Sequence, residues 1–338
     1  MPYNLVSEIS PMPELTTSVA MTTYNGGAYL REQLDSLAVQ SLPPGELVVC
    51  DDGSSDDTLE ILEEFRARVA FPVEIRRNEQ RLGYAGNFAK AIGLCKGDVV
   101  FPCDQDDVWK EARIRRHMDV YEAEPDVGMV YNNAGFIDGE TRPLPGALFD
   151  LNFARYPRLA QTFESDRAFT ILTPNWKIYG SMTSFRRKYW EFIAPLPEGL
   201  GHDDWVAICL SLLSRLRLIH DHLNDYRKHQ SQVTKGSDDP SASVRIFTRL
   251  MEQRAAELVR IKERLAKLEA SGAPLRFPQH QAYLGELISH LWRRCSMPDS
   301  RLRRAPSILA ELLLGNYARF NDNWRDALSQ DVHQWRFR

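Results

Sequence analysis

The stretch GDVVFPCDQDDVW, residues 97–109, is a short apolar run that ends in three acids, Asp104, Asp106 and Asp107. Val99, Val100 and Phe101 have the β-branched and aromatic character of a buried strand, and the polar switch after Cys103 marks its carboxyl end. The same pattern recurs upstream. Ser18–Thr23, Glu46–Cys50 and Val73–Arg76 read as strands, while Ala28–Val39, Asp57–Val69 and Tyr84–Cys95 carry apolar residues at helical spacing. A βαβαβαβ succession predicts an α/β fold, a mostly parallel, doubly wound sheet flanked by helices.

In such a sheet, ligands bind outside the carboxyl ends of the strands. The residues there are Tyr24 to Gly27, Asp51 to Asp56, Asn78 to Asn87 and Asp104 to Asp107, all polar sets and two of them rich in carboxylates. Asp56 and Asp57 are explained as a cap and a first-turn acid of the helix that follows. Asp51 and Asp52 serve no capping purpose, and a carboxylate there can accept a hydrogen bond from a base imide or a ribose hydroxyl. Asp107 reads as the cap of a helix starting around Trp109, which leaves Asp104 and Asp106. Like charges this close cost energy unless a cation compensates, and oxygen ligands in this number suit Mg2+ or Mn2+. A solvated acidic turn is the structural alternative.

The 338 residues suffice for one large domain or two ordinary ones, and 43% hydrophobic with 26% charged residues is ordinary for a globular protein. No run approaches the ~20 apolar residues of a membrane-spanning helix, and the polar, proline-punctuated start lacks the order of a signal peptide, so a cytoplasmic location is expected. Five dispersed cysteines, odd in number and without metal-ligand spacing, predict reduced thiols. The net charge of −4 is unevenly shared: residues 241–338 hold 17 Lys and Arg against 10 Asp and Glu, so they carry +7 and the first 240 residues −11. The acidic part is a poor nucleic-acid binder, whereas the basic part suits a membrane surface, a partner or an anionic ligand.

Further along, residues 126–142 supply more strand signal, and the proline- and aromatic-rich 143–175 reads as a long loop or lid. Helices are expected after Phe185 and from about Asp203. The character changes near residue 240, which separates an α/β unit, 1–240, from a helical region, 241–338. There Phe247, Met251, Leu258, Ile261, Leu265 and Leu268 fall on one face of a long helix, and helical patterns follow at about 279–294 and 307–328, with Pro298 and Pro306 interrupting any clean amphipathic helix.

TTYNGGAYLREQLDSLAVQS (22–41), VVCDDGSSDDT (48–58), GDVVFPCDQDDVW, GHDDW (201–205) and YRKHQSQV (226–233) occur in this order. Together they resemble an inverting family-two glycosyltransferase with the Rossmann-like GT-A fold, nearest to its bacterial rhamnosyltransferase-like branch, over roughly residues 16–236. The resemblance implies a nucleotide pocket lined by Thr23, Tyr24, Asn25, Asp51, Asp52 and Asn87, with Asp104, Gln105 and Asp106 as the family's DXD motif. Asp106, with Asp104 and His229, would hold Mg2+ or Mn2+ against the diphosphate of a UDP- or dTDP-linked sugar, and Arg227 would lie nearby. Asp203 or its neighbour Asp204 would be the base that deprotonates a hydroxyl of a glycan or lipid-linked acceptor. Gly180, Ser181 and Met182 resemble the turn that meets donor or acceptor, and Trp205 or Trp176 would stack on a sugar, a buried structural tryptophan being the alternative. A sugar nucleotidyltransferase fits less well because TTYNGGAYL has no basic residue before Arg31, and a silent binding module fits less well because Asp203 is present. For the tail, packing on the catalytic domain, a homo-oligomer contact and peripheral docking at the inner face of the plasma membrane stay open.

Overall fold

A computed structural model describes residues 15–173, 178–196, 201–229, 243–273, 275–298, 301–321 and 324–333. Trp176 lies outside them. The first half alternates as the sequence predicts: β1 (Thr17–Thr23), α1 (Gly27–Ala38), β2 (Glu46–Asp51), α2 (Thr58–Arg68), β3 (Val73–Arg77), α3 (Gly83–Leu94) and β4 (Val99–Cys103). Next come β5 (Val108–Trp109), α4 (Arg113–Ala123), β6 (Val127–Ile137), β7 (Pro143–Ala147), α5 (Leu148–Arg155), α6 (Pro157–Thr162) and α7 (Ala168–Leu172). The remainder is β8 (Thr183–Arg186), α8 (Trp190–Ile193), α9 (His202–Leu213), β9 (Arg215–Arg227), α10 (Ser243–Ala270), α11 (His280–Cys295), α12 (Arg301–Leu313), α13 (Asn316–Phe320) and α14 (Trp324–His333).

The strands form one sheet in the order β3-β2-β1-β4-β8-β6-β9-β5, with β7 beside β6. β3, β2, β1 and β4 are mutually parallel, and the chain reverses its direction of winding between β1 and β4. β4–β8 and β6–β8 are antiparallel, so the sheet is mixed beyond the switch point. Alternate strand residues enter opposite layers. Val19, Met21, Leu47, Val49, Val99 and Phe101 meet α1, α2 and α4 in one apolar cluster, while Ala20, Val48, Cys50 and Val100 meet α3 and α9 in the other. Burial on both faces is why these strands read as unbroken apolar runs.

The structure corrects three sequence expectations. No helix begins at Trp109, because Val108 and Trp109 pair with Asp225 and Asn224 of β9 and the helix waits until Arg113. The 143–175 stretch is no lid over its described residues: it folds as β7 and three short helices whose Phe149, Phe163 and Phe169 are core, and Pro157 starts α6 instead of breaking it. The 307–328 pattern is divided among three helices, since Gly315 at φ 68° ends α12, and α12 itself runs through Pro306. The ring of Pro306, the sixth residue of α12, is on the exposed side, and the bond it would have donated to the Leu302 carbonyl is missing from the helix ladder.

The C-terminal helices share the second core. Met251, Leu258, Ile261, Leu265 and Leu268 of α10 are buried in the same cluster as α9, each worth roughly 1.5–3 kcal/mol as an upper estimate. Tyr283 donates its hydroxyl hydrogen to the Thr170 carbonyl at 2.7 Å, and the Arg276 N–H to that of Leu212 at 2.7 Å. The cysteines are free thiols, four of them buried. Among the described residues no helix is long and apolar enough to cross a membrane.

Candidate active site

The carboxyl ends of β1, β2 and β4 open into a cleft of about 370 Å³, with the start of α3 and the end of β9 in its walls. The β1 end supplies Thr23, Tyr24 and Asn25. Asn25 adopts φ 48°, a conformation asparagine tolerates better than most side chains. Two serines hold it there: its N–H donates to Ser54 Oγ at 2.8 Å and its Oδ1 accepts the Ser55 N–H at 2.9 Å. Gln105 clasps the Tyr24 backbone, accepting its N–H at 2.8 Å and donating to its carbonyl at 3.2 Å. A Cβ on Gly26 would stand 2.3 Å from Gln105 Oε1, so a side chain there would push the Gln105 amide off the Tyr24 backbone.

The two adjacent acids of the second strand end have different fates. Asp52 lines the cleft and anchors the amino end of α3, accepting the Leu82 and Gly83 N–H groups at 2.7 and 2.9 Å. Asn78 joins it to Asn87, donating to Asp52 Oδ1 at 2.9 Å and to Asn87 Oδ1 at 2.8 Å. Asp51 is placed away from the cleft. It is fully buried and braces the loop behind it, accepting the Ser54 N–H at 2.9 Å, the Gly53 N–H at 3.1 Å and the Thr23 hydroxyl at 3.0 Å.

Asp104 and Asp106 line the cleft with Gln105, and Asp107 does not. Burial, with the charges of Asp106 and Asp107, pushes the Asp104 carboxyl well above its ordinary range, partly offset by the Ser181 hydroxyl. Asp107 is buried and caps no helix. Its Oδ1 accepts the Arg227 N–H at 3.1 Å, its Oδ2 has no hydrogen-bond partner, and burial together with the charge of Asp106 pushes it up to about 7. His229 reaches the same spot from the end of β9, its Nε2 3.0 Å from Asp106 Oδ2.

Arg227 proves to be scaffold and not a cleft residue. The guanidinium is fully buried and donates to the carbonyls of Asp106 at 2.7 Å and Asp138 at 3.1 Å, to the Thr141 hydroxyl at 2.8 Å and to Glu32 at 2.7 Å. Burial raises the Glu32 carboxyl, but the hydrogen bonds from Thr141 and Arg227 outweigh it and leave the group lowered. The network ties α1 and the β6–β7 turn to the acid loop.

Asp203 and Asp204 occupy the first turn of α9, where the helix dipole favours negative charge. The Asp203 charge contributes to the rise at Asp104, which places the two carboxylates within electrostatic reach. Asp204 is buried, and its charge acts on Arg254 of α10. Trp205 is core: it is fully buried and its indole N–H donates to the Ile193 carbonyl at 2.9 Å. Gly180, Ser181 and Met182 form a buried turn, and a Cβ on Gly180 would lie 2.6 Å from His202 Nε2 and 3.1 Å from Asp203 Cβ. The small residue therefore lets α9 approach closely.

Sequence reasoning missed Tyr29, Tyr84 and Tyr226 as cleft residues, and gave Arg81, near Asn78, a phosphate contact only as the alternative to a surface role. Arg81, by default a surface arginine, lies over the Tyr24 ring with its Cζ 3.9 Å from the centroid. Its position next to Asn78, at the end of β3, was the available signal.

The model for the glycosyl transferase family 2 matches residues 18–193, the part that builds the sheet up to β8 and the acid loop. The chain belongs to glycosyltransferase family 2. An uncharacterized glycosyltransferase of Nostoc sp. is 26% identical over 219 residues, 63% of this chain and 64% of its own length. The dTDP-rhamnosyl transferase RfbG of Shigella flexneri is 34% identical over 118 residues, 34% of this chain and 38% of its own length. The chain thus spans less than two thirds of these relatives. Among solved structures, S. aureus TarS 1-349 in complex with UDP-GlcNAc superposes with a TM-score of 0.55 at 18% identity, covering 95% of this chain and 90% of that one. The mannosyltransferase PcManGT from Pyrobaculum calidifontis, in complex with GDP-Man and Mn2+, gives 0.51 at 17%, covering 96% and 86%. These likenesses establish the GT-A type fold of this family 2 member.

Proposed function

We propose that the protein transfers a sugar, with inversion, from a nucleoside diphosphate sugar to a hydroxyl of a glycan or lipid-linked acceptor. The observation that carries this reading is the convergence of Asp52, Asp104, Asp106 and His229 on one cleft at the switch point, with Asp203 in electrostatic reach beyond it. Thr23, Tyr24, Asn25, Asp52 and Asn87 would receive the nucleoside, and the Tyr24–Arg81 stack offers a flat cationic surface for a base or phosphate. A dTDP-linked deoxyhexose such as rhamnose is the donor that the RfbG match favours.

The donor set suits a hard divalent ion. Asp104 and Asp106 crowd negative charge, and two carboxylates with one imidazole fit Mg2+ or Mn2+ when phosphate oxygens and water fill the other positions. Among the described residues no three His, Cys, Asp or Glu side chains already form a metal group, so the nucleotide would complete the ligand set. A bound ion would supply positive charge against the leaving diphosphate. The chain's own contribution is positional: Gln105 and Gly26 fix the floor, Arg227 fixes the Asp106 carbonyl and the Asp107 carboxylate, and Asp203 takes the acceptor proton. Asp203 is preferred to Asp204 because it is the half-exposed member of the pair and Asp204 is engaged toward Arg254. Residues 241–338 serve chiefly as packing for the catalytic unit, 1–240.

The test is Asp203→Asn. Donor binding should stay at the wild-type level while turnover falls by about 10²–10⁴ fold. Near wild-type turnover would remove Asp203 as the base.

A further inference from the structure

Helix α12 is built inside out. Arg304 and Glu311 are 2% and 0% exposed, whereas Leu302, Leu309, Leu313 and the adjoining Leu314 are 88%, 56%, 80% and 64% exposed. The spacing is helical on both sides: residues 304, 308 and 311 turn inward, and 302, 306, 309 and 313 turn outward. Polar partners hold the inner side. Arg304 donates to the carbonyls of Pro298 at 2.9 Å and Asp331 at 2.6 Å, and Glu311 accepts from His290, Arg293 and Asn316. Charge inside and leucine outside is the reverse of what water selects, and contiguous exposed apolar surface marks an interaction site.

We propose that the outer face of α12 docks on the interfacial layer of a lipid bilayer with anionic headgroups. The charge supports that occupant: Arg303 is exposed beside Leu302 at the amino end of the leucine face, where α12 exposes no carboxylate. Trp292 on neighbouring α11 is also exposed, an amphipathic ring of the kind that settles at the headgroup level. A second copy presenting the same face would set arginine against arginine, and the one carboxylate of α12, Glu311, is buried. With 13 residues, α12 is about 20 Å long, so it lies in the interface. Gly315 turns the chain away and leaves Leu312, Leu313 and Leu314 gathered at one corner.

The experiment is flotation of the full chain with phosphatidylcholine vesicles, with and without phosphatidylglycerol, and it needs no catalysis. Wild type should float with the mixed vesicles, less with phosphatidylcholine alone and less at raised salt. L302S/L309S/L313S should bind about ten-fold or more weakly at an unchanged unfolding temperature. Arg303→Glu, a single surface change, should lower binding to the anionic vesicles if the triple variant does not fold. Absence of wild-type flotation, or wild-type-like flotation of both variants, overturns the proposal. So does a wild-type dimer in sedimentation that the triple variant converts to monomer without any vesicle binding, which would assign the face to a second copy.

Discussion

His229 Nε2 lies 3.0 Å from Asp106 Oδ2, although 123 residues separate the two in sequence. The contact closes the cleft between the β4 and β9 ends, and the His229 ring is seated against Tyr29 at 4.7 Å between centroids. Replacing His229 by Ala would remove one donor of the proposed divalent set and the contact to Asp106. The expected outcome is a ten-fold or larger loss, about 10–100 fold, in the divalent-dependent part of nucleotide affinity, measured by calorimetric titration.

Arg227→Met should destabilise the fold by about 3 kcal/mol or more in urea unfolding. The guanidinium serves the Asp106 and Asp138 carbonyls, Thr141 and Glu32 from a fully buried position, and truncation strands them. Arg227→Lys should rescue little, because one ammonium cannot reproduce the fork.

Gly180→Ala should cost about 1–3 kcal/mol, since the new Cβ would meet His202 Nε2 at 2.6 Å. The imidazole cannot yield easily: it is buried and stacked on Phe88 at 3.9 Å between centroids. Thermal unfolding reads the loss, and turnover should fall with it because α9 carries Asp203.

A pH signature should come from His202. Burial lowers its pKa below 6.5, with Asp203 a smaller opposing influence, and neither ring nitrogen has a hydrogen-bond partner. The folded state therefore keeps the ring neutral while the unfolded chain takes up a proton near 6.5, so this contribution to stability is present above that pH and is lost as pH falls. His202→Phe should lose less stability than wild type between about pH 7.5 and about pH 5.5 in parallel urea titrations. An equal loss in both would show that His202 does not titrate this way.

The parallel half of the sheet was legible because strands buried on both faces leave continuous apolar runs, as Val48 to Cys50 and Val99 to Phe101 do. The short β5 was not, since Val108 and Trp109 are strand only through their pairing with β9. Asp51 and Asp52 looked equivalent as residue types, yet neighbouring side chains at a strand end point to opposite sides, and only Asp52 meets the cleft. Arg227 and His229 share one motif, and strand alternation alone would put both on one side; β9 ends at Arg227, and the chain beyond it carries His229 to Asp106 while Arg227 enters the scaffold. For α12, spacing shows two faces and cannot say which turns inward. That depended on His290 and Asp331 offering polar partners.

The most direct measurement is unfolding temperature with UDP and dTDP, each with and without Mn2+, on wild type and Asp106→Ala. A nucleotide at about one hundred times its Kd stabilises the folded state by about 2.7 kcal/mol. The account predicts that at least one nucleotide raises the wild-type transition more with Mn2+ than without, and that Asp106→Ala abolishes this difference. An undiminished Mn2+-dependent shift in Asp106→Ala would contradict it.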